Sequence, residues 1–406
     1  MCAGGGADTS ARATLQNPMP AAGSRPVPSL FQACFQTLPA RIGDRNLDQR
    51  PTGLHHPRMD YPRHSRIRGH RLQLDLLRRL IAAGRHGHAY LFEGPEGIGK
   101  LTVARAFVGR LACWGAAASD TDPCGHCRSC AALERDQHPD LSVLLRDGAS
   151  IKIDQVREAV QRLRYEPVVG RIKAVIIDGA DTLREEAANA LLKTLEEPPP
   201  ATVFVLVTSK PQVLLDTIRS RCQVLRFTDL PEADIAALLV AGGADEAMAL
   251  TAAALAQGSL TQAQQLCDPG RLALADLVAE FALRLGADPP AAAAPFTDRL
   301  IAHIGAASGD EKVKRELGRD DLVLALDALR AVLRDVLMVQ CGQDMQRLPY
   351  ARHALALRQM AARVDPSRLA RGIELCQRLE GRLSLNPNTK LAWVALLVEL
   401  GTLLRG

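Results

Sequence analysis

Short apolar runs alternate with helical patterns through the first part of the chain that shows regular periodicity. The runs lie at 88–92, 141–145, 174–177, 203–207 and 224–227. Their length and continuous apolar character predict buried strands, and the patterns at 71–83 and 182–196 predict helices between them. Strands and helices in alternation favour an α/β fold, in which helices cover both faces of a parallel sheet.

After about residue 230 the strand patterns stop. Ala and Leu then recur with helical spacing to residue 406, so this part is predicted to be all-helical. Breaks at Asp268-Pro269-Gly270 and Asp288-Pro289-Pro290 divide it. We expect a small helical domain at 230–268 and a larger helical bundle at 269–406.

The first 58 residues differ from the rest in being rich in Pro, Gly and Arg without apolar periodicity. This composition predicts a disordered extension, or an over-long start of the reading frame with Met59 as the alternative start. The α/β domain is then expected at 59–229.

Charge and composition narrow the function classes. The formal charge of +5 arises in residues 1–70, whereas residues 71–406 carry 41 basic and 41 acidic side chains. A neutral body is atypical of a dedicated DNA-binding protein, so any DNA contact should be local or shared with partners. With no long apolar run and no signal-peptide pattern, we expect a cytoplasmic protein without a membrane partner.

A glycine-rich segment, Gly94-Pro95-Glu96-Gly97-Ile98-Gly99-Lys100, follows the first predicted strand and precedes a helix. This order is that of a phosphate-binding Walker A loop. Gly94, Gly97 and Gly99 would let backbone N–H groups converge on phosphate, and Lys100 would neutralise its charge. The alternative is a glycine-rich turn without a ligand.

The residue after the lysine departs from the motif. A Ser or Thr normally holds Mg²⁺ there, but the chain has Leu101, and Thr102 is rotated by about 100° on the helix. Lys100 therefore favours binding of ATP or ADP, whereas Leu101 argues against tight Mg²⁺ coordination. Both outcomes stay open.

A second acidic motif, Ala174-Val175-Ile176-Ile177-Asp178, ends an apolar strand in aspartate, as a Walker B motif does. Hydrolysing proteins of this class place a Glu next, but here Gly179 follows. A missing general base predicts poor turnover, because base catalysis contributes about 10²–10⁴-fold. Alternatively, Asp178 only caps the next helix.

Four cysteines lie within 18 residues at C-x10-C-x2-C-x2-C spacing: Cys113, Cys124, Cys127 and Cys130. In a reducing compartment this spacing predicts a closed, structural Cys₄ zinc site in a module at 113–130. Iron–sulfur ligation and unligated thiols remain alternatives. A role of this module in reading nucleic acid is disfavoured, because Arg128 is its single basic residue and phosphate contact usually needs several.

Three further segments carry a family resemblance: Asn189 through Pro199 (NALLKTLEEPP), Phe204 through Ser209, and Ser220-Arg221-Cys222. Together they resemble the clamp-loader subunits of bacterial DNA polymerase III, which are AAA+ proteins. The resemblance covers about 66–400 and includes Leu385-Asn386-Pro387-Asn388, which is similar to a collar signature. It implies a RecA-like P-loop domain followed by an all-helical lid at 230–268 and an oligomerising collar at 269–406.

Departures from the family pattern distinguish its two types of subunit. Leu101 and Gly179 replace catalytic groups, and Thr261 stands where hydrolysing relatives place an arginine that contacts nucleotide. The resemblance therefore implies the delta-prime type, with little or no ATPase activity of its own. The ATP-hydrolysing tau/gamma type is the alternative.

The resemblance also implies partners and roles. The expected assembly is a hetero-pentameric ring with tau/gamma and delta subunits, which loads a sliding clamp onto primer-template DNA. Arg221 would act as an arginine finger in the ATP site of the neighbouring subunit, and Thr208 aligns with the first sensor.

Overall fold

The computed structural model describes residues 63–117, 119–135, 137–148, 150–308, 317–383 and 388–405. The predicted N-terminal extension, Met59 and most of the predicted collar signature, at 385–387, lie outside these residues.

A five-stranded parallel sheet forms the first part of the described chain. Its strands are β1 (Ala89–Glu93), β2 (Leu141–Leu144), β3 (Lys173–Asp178), β4 (Thr202–Thr208) and β5 (Gln223–Arg226). Their order is β2-β3-β4-β1-β5, and Leu91 of β1 pairs with Leu206 on one side and Val224 on the other. The predicted α/β class and all five strands are confirmed, with ends shifted by at most one residue.

Six helices accompany the sheet: α1 (Arg71–Ala82), α2 (Lys100–Ala112), α3 (Arg128–Glu134), α4 (Ile153–Leu163), α5 (Glu185–Glu196) and α6 (Asp216–Arg219). The helix predicted from residue 182 begins later. Ala180–Thr182 forms a single 3-10 turn, because Gly179 adopts a left-handed φ of 77° before it and Leu183 is extended after it.

All regular elements described after Arg226 are helical. They include α7 (Glu232–Ala241), α8 (Glu246–Leu255), α9 (Leu260–Leu266), α10 (Pro269–Ala282), α11 (Ala293–Ser308), α12 (Arg319–Gln340), α13 (Ala354–Arg363), α14 (Pro366–Arg382) and α15 (Thr389–Leu403). Asp268 caps α10 by accepting a hydrogen bond from the Arg271 N–H. None of the described helices has the length and apolarity needed to span a membrane.

The two faces of the sheet belong to separate apolar cores, because side chains alternate along each strand. Tyr90 and Phe92 of β1 lie in a core that also contains residues of α1 and α2 and continues into the helical part. Leu91 points to the opposite core, where α4 and α5 pack. The central strands are therefore covered on both sides, and the loops at their ends carry the accessible polar groups.

Candidate functional site

The glycine-rich loop follows β1 at the carboxyl end of the sheet. Gly94, Gly97 and Gly99 have φ angles of 152°, 77° and 91°. A Cβ on Gly94 would lie 2.3 Å from the Phe227 carbonyl oxygen, and one on Gly97 would lie 2.1 Å from Ser259 Oγ. Both positions thus need glycine for conformation and for close packing.

Lys100 is bonded within the loop itself. Its Nζ donates to the Gly94 carbonyl oxygen at 2.7 Å and also to that of Pro95. Burial lowers the pKa of the ammonium, and the negative charge of Asp178 offsets part of this shift. The Lys100 ammonium group, which would otherwise pair with a phosphate, therefore donates its hydrogen bonds to carbonyl oxygens of the loop itself.

The start of α9 lies directly against the glycine loop. Ser259 caps this helix by accepting a hydrogen bond from the Gln262 N–H at 3.3 Å, and the Thr261 N–H donates to the Gly97 carbonyl oxygen at 3.2 Å. Gln262 Nε2 also donates to Asp327 Oδ2 of α12 at 2.8 Å. The same short helix therefore contacts both the glycine loop and the C-terminal helices.

The first turn of α2 presents no hydroxyl group at the position after the lysine. Leu101 is half-buried and packs against the apolar core, whereas Thr102 is exposed. The Leu101 side chain offers no oxygen ligand for Mg²⁺. How these two residues act toward a metal stays a prediction.

Asp178 ends β3 and is half-buried near the glycine loop. Burial raises the pKa of its carboxyl group, while the cations of Arg146, Lys100 and Arg105 lower it in part. The 3-10 turn at Ala180–Thr182 has Gly179 at its N-cap position and no side-chain cap, and α5 has no side-chain cap either. The interpretation of Asp178 as a helix cap is therefore wrong for both of these elements.

Gly179 occupies the position where a general base would be expected. Its φ of 77° is in the left-handed region, and a Cβ there would lie 3.4 Å from the Cγ and Cδ of Arg146. The Arg146 guanidinium lies 3.5 Å from a Glu96 oxygen of the glycine loop. An arginine thus lies beside the place that a catalytic carboxylate would occupy.

The side chain of Thr208 is buried at the end of β4. Its Oγ1 donates to Asp181 Oδ1 at 2.6 Å and accepts from the Lys210 N–H at 3.0 Å. The Thr208 carbonyl oxygen accepts from the Gly94 N–H at 3.3 Å. The predicted sensor residue thus contacts the glycine loop through its backbone, and its hydroxyl group is used elsewhere. The sequence did not indicate Asp181 as its partner.

Arg221 lies between α6 and β5, at the amino end of the sheet. Its Nη2 donates to Glu196 Oε1 at 2.6 Å, and its Nη1 donates to the Thr217 carbonyl oxygen at 2.8 Å. About a third of the side chain, 34%, is exposed. The sequence missed Glu196 as a partner, although this residue belongs to the leucine-rich segment that carries the family resemblance.

The four cysteines of the predicted metal site converge. All four sulfur atoms lie within 4.8 Å of one another. Four of the separations are 3.6–3.9 Å, for the pairs 113–127, 124–130, 127–130 and 113–130. A tetrahedron with metal–sulfur bonds of about 2.3 Å has edges of about 3.8 Å, so the sulfur atoms fit one tetrahedrally bound ion.

Backbone donors surround the sulfur atoms. The Cys124 N–H donates to Cys113 Sγ at 3.2 Å, and the Gly125 N–H donates to Cys130 Sγ at 3.4 Å. Cys113 follows the last residue of α2, and Cys127 caps α3. The helix that begins at the glycine loop therefore ends at the cysteine site.

The segment at 165–171 packs against the cysteine module, which the sequence did not indicate. The buried carboxylate of Asp140 accepts hydrogen bonds from the N–H groups of Val168, Val169 and Gly170 at 2.7–2.8 Å. Trp114 Nε1 of the module donates to the Val169 carbonyl oxygen at 2.9 Å. These residues are about 30 to 55 positions apart, so no local pattern relates them.

Comparison with known proteins shows similarity to subunits of DNA polymerase III. The profile of the family described as "DNA polymerase III, delta subunit" matches residues 69–231. The chain is similar to the DNA polymerase III subunit delta' of Bacillus subtilis, with 43% identity over 157 residues, covering 39% of this chain and 47% of that one. It is also similar to the subunit tau/gamma of Haemophilus influenzae, with 44% identity over 150 residues, covering 36% of this chain and 21% of that one.

Among solved structures, the chain is similar to a DNA polymerase III gamma subunit-related protein from Thermotoga maritima. The identity is 17% and the TM-score is 0.42, covering 82% of this chain and 100% of that chain. The chain spans less than half the length of the two curated relatives above.

Proposed function

Because residues 69–231 match the DNA polymerase III delta-subunit family and the chain is 43% identical over 157 residues to a delta' subunit, we propose that it belongs to the clamp-loader family and acts as a delta-prime-type subunit. In this role it assembles with tau/gamma and delta subunits in a hetero-pentameric ring that places a sliding clamp on primer-template DNA. One observation carries the choice of subunit type. The glycine loop is intact but is bonded to its own lysine and to the start of α9, without the groups that hydrolyse ATP.

The glycine loop and the residues around it, hereafter the nucleotide pocket, are proposed to stabilise the fold and not to hydrolyse ATP. An ATP or ADP molecule that enters it must break the bonds of Lys100 to Gly94 and Pro95 before the ammonium can meet phosphate. Mg²⁺ would then find the Asp178 carboxylate but no hydroxyl group at Leu101. This combination supports weak nucleotide binding and little hydrolysis.

Arg221 is proposed to act on the ATP site of a neighbouring subunit. It precedes β5 at the amino end of the parallel sheet, whereas the glycine loop follows β1 at the carboxyl end. The strands of four to seven residues span about 13–23 Å, so the guanidinium and the loop are separated by the height of the sheet. Arg221 is therefore too far from the glycine loop of its own chain and would contact a phosphate bound by a neighbouring subunit.

Zinc is proposed as the ion held by Cys113, Cys124, Cys127 and Cys130. Four thiolates with tetrahedral separations close the coordination sphere and leave no position for water or substrate. The ion would therefore stabilise the module at the end of α2 without taking part in a reaction.

The proposed function is tested by purification and reconstitution. The isolated chain, given primed DNA, is expected to hydrolyse little ATP, and the complete loader to require it for clamp loading. Brisk hydrolysis by the isolated chain that Lys100→Ala abolishes would instead support the tau/gamma-type alternative. Co-purification with tau/gamma and delta subunits checks the assembly, and metal analysis of the same sample checks the zinc.

The lost general base provides a further prediction. Gly179→Glu is expected not to restore hydrolysis, because Leu101 still offers no ligand to Mg²⁺. It is expected to lower the free energy of unfolding by about 1–2 kcal/mol, since a side chain is forced into the left-handed region at φ 77°. Chemical denaturation and an ATPase assay measure the two effects.

Gly179→Ala is the matched control, since it adds the conformational cost without the carboxylate. It should lose about the same stability as Gly179→Glu. Strong ATPase activity in Gly179→Glu alone would contradict the proposed role of the pocket.

A further inference from the structure

Two aromatic side chains are exposed, one on the cysteine module and one on the segment at 165–171 that packs against it. Trp114 is 56% exposed and Tyr165 is 70% exposed, and they are the only exposed Trp, Tyr or Phe side chains among the residues that the structure describes. Val168, 73% exposed, follows Tyr165 by three residues and precedes Val169, whose carbonyl oxygen accepts the hydrogen bond from Trp114. Exposed aromatic side chains that share one surface are typical of binding sites.

Each ring has a cation near it. The Arg171 guanidinium lies 5.3 Å from the Trp114 ring centroid, and Lys173 Nζ lies 5.7 Å from that of Tyr165. Arg164, beside Tyr165, is exposed, and among the described residues its guanidinium group makes no hydrogen bond or ion pair, while its backbone N–H donates to the Gln161 carbonyl oxygen at 3.2 Å. Glu166 is the exposed acidic neighbour in the same segment.

The surface is held in place before any ligand arrives. Asp140 fixes the backbone of 168–170 through three hydrogen bonds, and Arg171 Nη2 donates to the Trp114 carbonyl oxygen at 3.0 Å. Lys173 Nζ donates to the Arg162 carbonyl oxygen at 2.5 Å. A ligand therefore loses little free energy to ordering the Trp114 side chain and the backbone of 168–170.

From this arrangement we propose that Trp114, Arg164, Tyr165, Val168 and Arg171, hereafter the aromatic surface, bind single-stranded nucleic acid. Bases stack on the two rings, and the guanidinium groups of Arg164 and Arg171 pair with phosphates. Stacking of a base on an aromatic side chain contributes about 1–3 kcal/mol and depends little on base identity. The inference adds a site to the chain and does not depend on its role in clamp loading.

Size and charge favour a nucleic acid strand over a folded protein partner. A stable protein interface buries about 800 Å² on each side, more than three exposed apolar side chains supply. Two rings and two guanidinium groups suffice for two or three nucleotides. The sequence argued against a nucleic-acid role because residues 113–130 contain one basic residue. Folding supplies the others from 164–171.

The tryptophan emission of the full-length chain gives a direct test. The chain has two Trp residues, Trp114 and Trp393, and Trp393 is fully buried in α15. Titration with an oligo-dT of about 15 nucleotides is expected to quench the Trp114 emission, because a base stacks on the indole. Duplex DNA of the same length should quench much less, since its bases are already stacked.

Substitutions separate stacking from charge. Tyr165→Ala is expected to weaken oligo-dT binding by roughly 5- to 150-fold. Arg164→Ala should weaken it and reduce the slope of log K against log salt by about 0.7, as expected for one lost phosphate contact. Glu166→Gln should strengthen binding, and Arg299→Ala, an exposed arginine of the C-terminal helices, should have no effect.

Unchanged metal content in each variant confirms that the module is folded. The inference is overturned if oligo-dT leaves the Trp114 emission unchanged, if duplex DNA quenches it equally, or if Tyr165→Ala binds like the wild type. None of these results would affect the proposed clamp-loader role, because the assay uses the isolated chain without a clamp or ATP.

Discussion

Arg221→Ala, in a loader reconstituted with its ATPase partners, is expected to lower ATP turnover at the adjoining site by roughly 10³-fold. The reason is electrostatic. In the proposed trans role the guanidinium would stabilise charge that develops on the transferring phosphoryl group, and arginine fingers of GTPases contribute about 10³–10⁵ in rate. Total turnover should fall less, because the other ATP sites of the ring keep their own arginines. Single-turnover hydrolysis measured in the assembled complex resolves the slow site.

The structure supplies two matched controls for this variant. Arg219 is an exposed arginine two positions away, paired with Asp216 at 3.2 Å, and Arg219→Ala should leave turnover unchanged. Glu196→Gln removes the charge that holds Arg221 but keeps the guanidinium, so a small change in either direction is expected, since exposed ion pairs contribute about 0–1 kcal/mol. Wild-type turnover with Arg221→Ala would remove the trans role.

Loss of one cysteine of the cluster is expected to have the largest effect on stability. In Cys130→Ser, a buried sulfur that lies 3.6–3.9 Å from the other three is replaced by a weak zinc ligand. Bound zinc should fall from one ion per chain to almost none, with a loss of about 4 kcal/mol in the free energy of unfolding. For a domain of this size the melting temperature should fall by about 8–16 °C. Metal analysis and thermal denaturation measure both.

Cys222→Ser is the control, because Cys222 is a half-buried free cysteine outside the cluster. The Cys222→Ser variant should bind as much zinc as the wild type. A strong chelator should destabilise the wild type as much as Cys130→Ser does and should leave that variant unaffected. Metal retained in Cys130→Ser, or a coloured iron-containing protein, would contradict the zinc assignment.

The sequence by itself determined the fold class and the composition of the candidate sites. Five apolar runs separated by helical patterns indicated a parallel sheet, since continuous apolar runs of four or five residues are typical of strands that are buried on both faces. The loop from Gly94 to Lys100 and the four cysteines were also evident, because their residues are close in sequence. Leu101 and Gly179 were also evident from the sequence, at the positions where a Mg²⁺-binding hydroxyl group and a general base are expected.

Only the tertiary structure decided which distant residues meet these sites. In the structure Thr261 is hydrogen-bonded to Gly97, Glu196 to Arg221, and Val169 of the segment at 165–171 to Trp114. Contacts of this kind follow from the order of the strands and from how each loop packs at an end of the sheet. Periodicity and spacing describe one segment at a time, so they determine a segment's own conformation but not the side chain that lies opposite it.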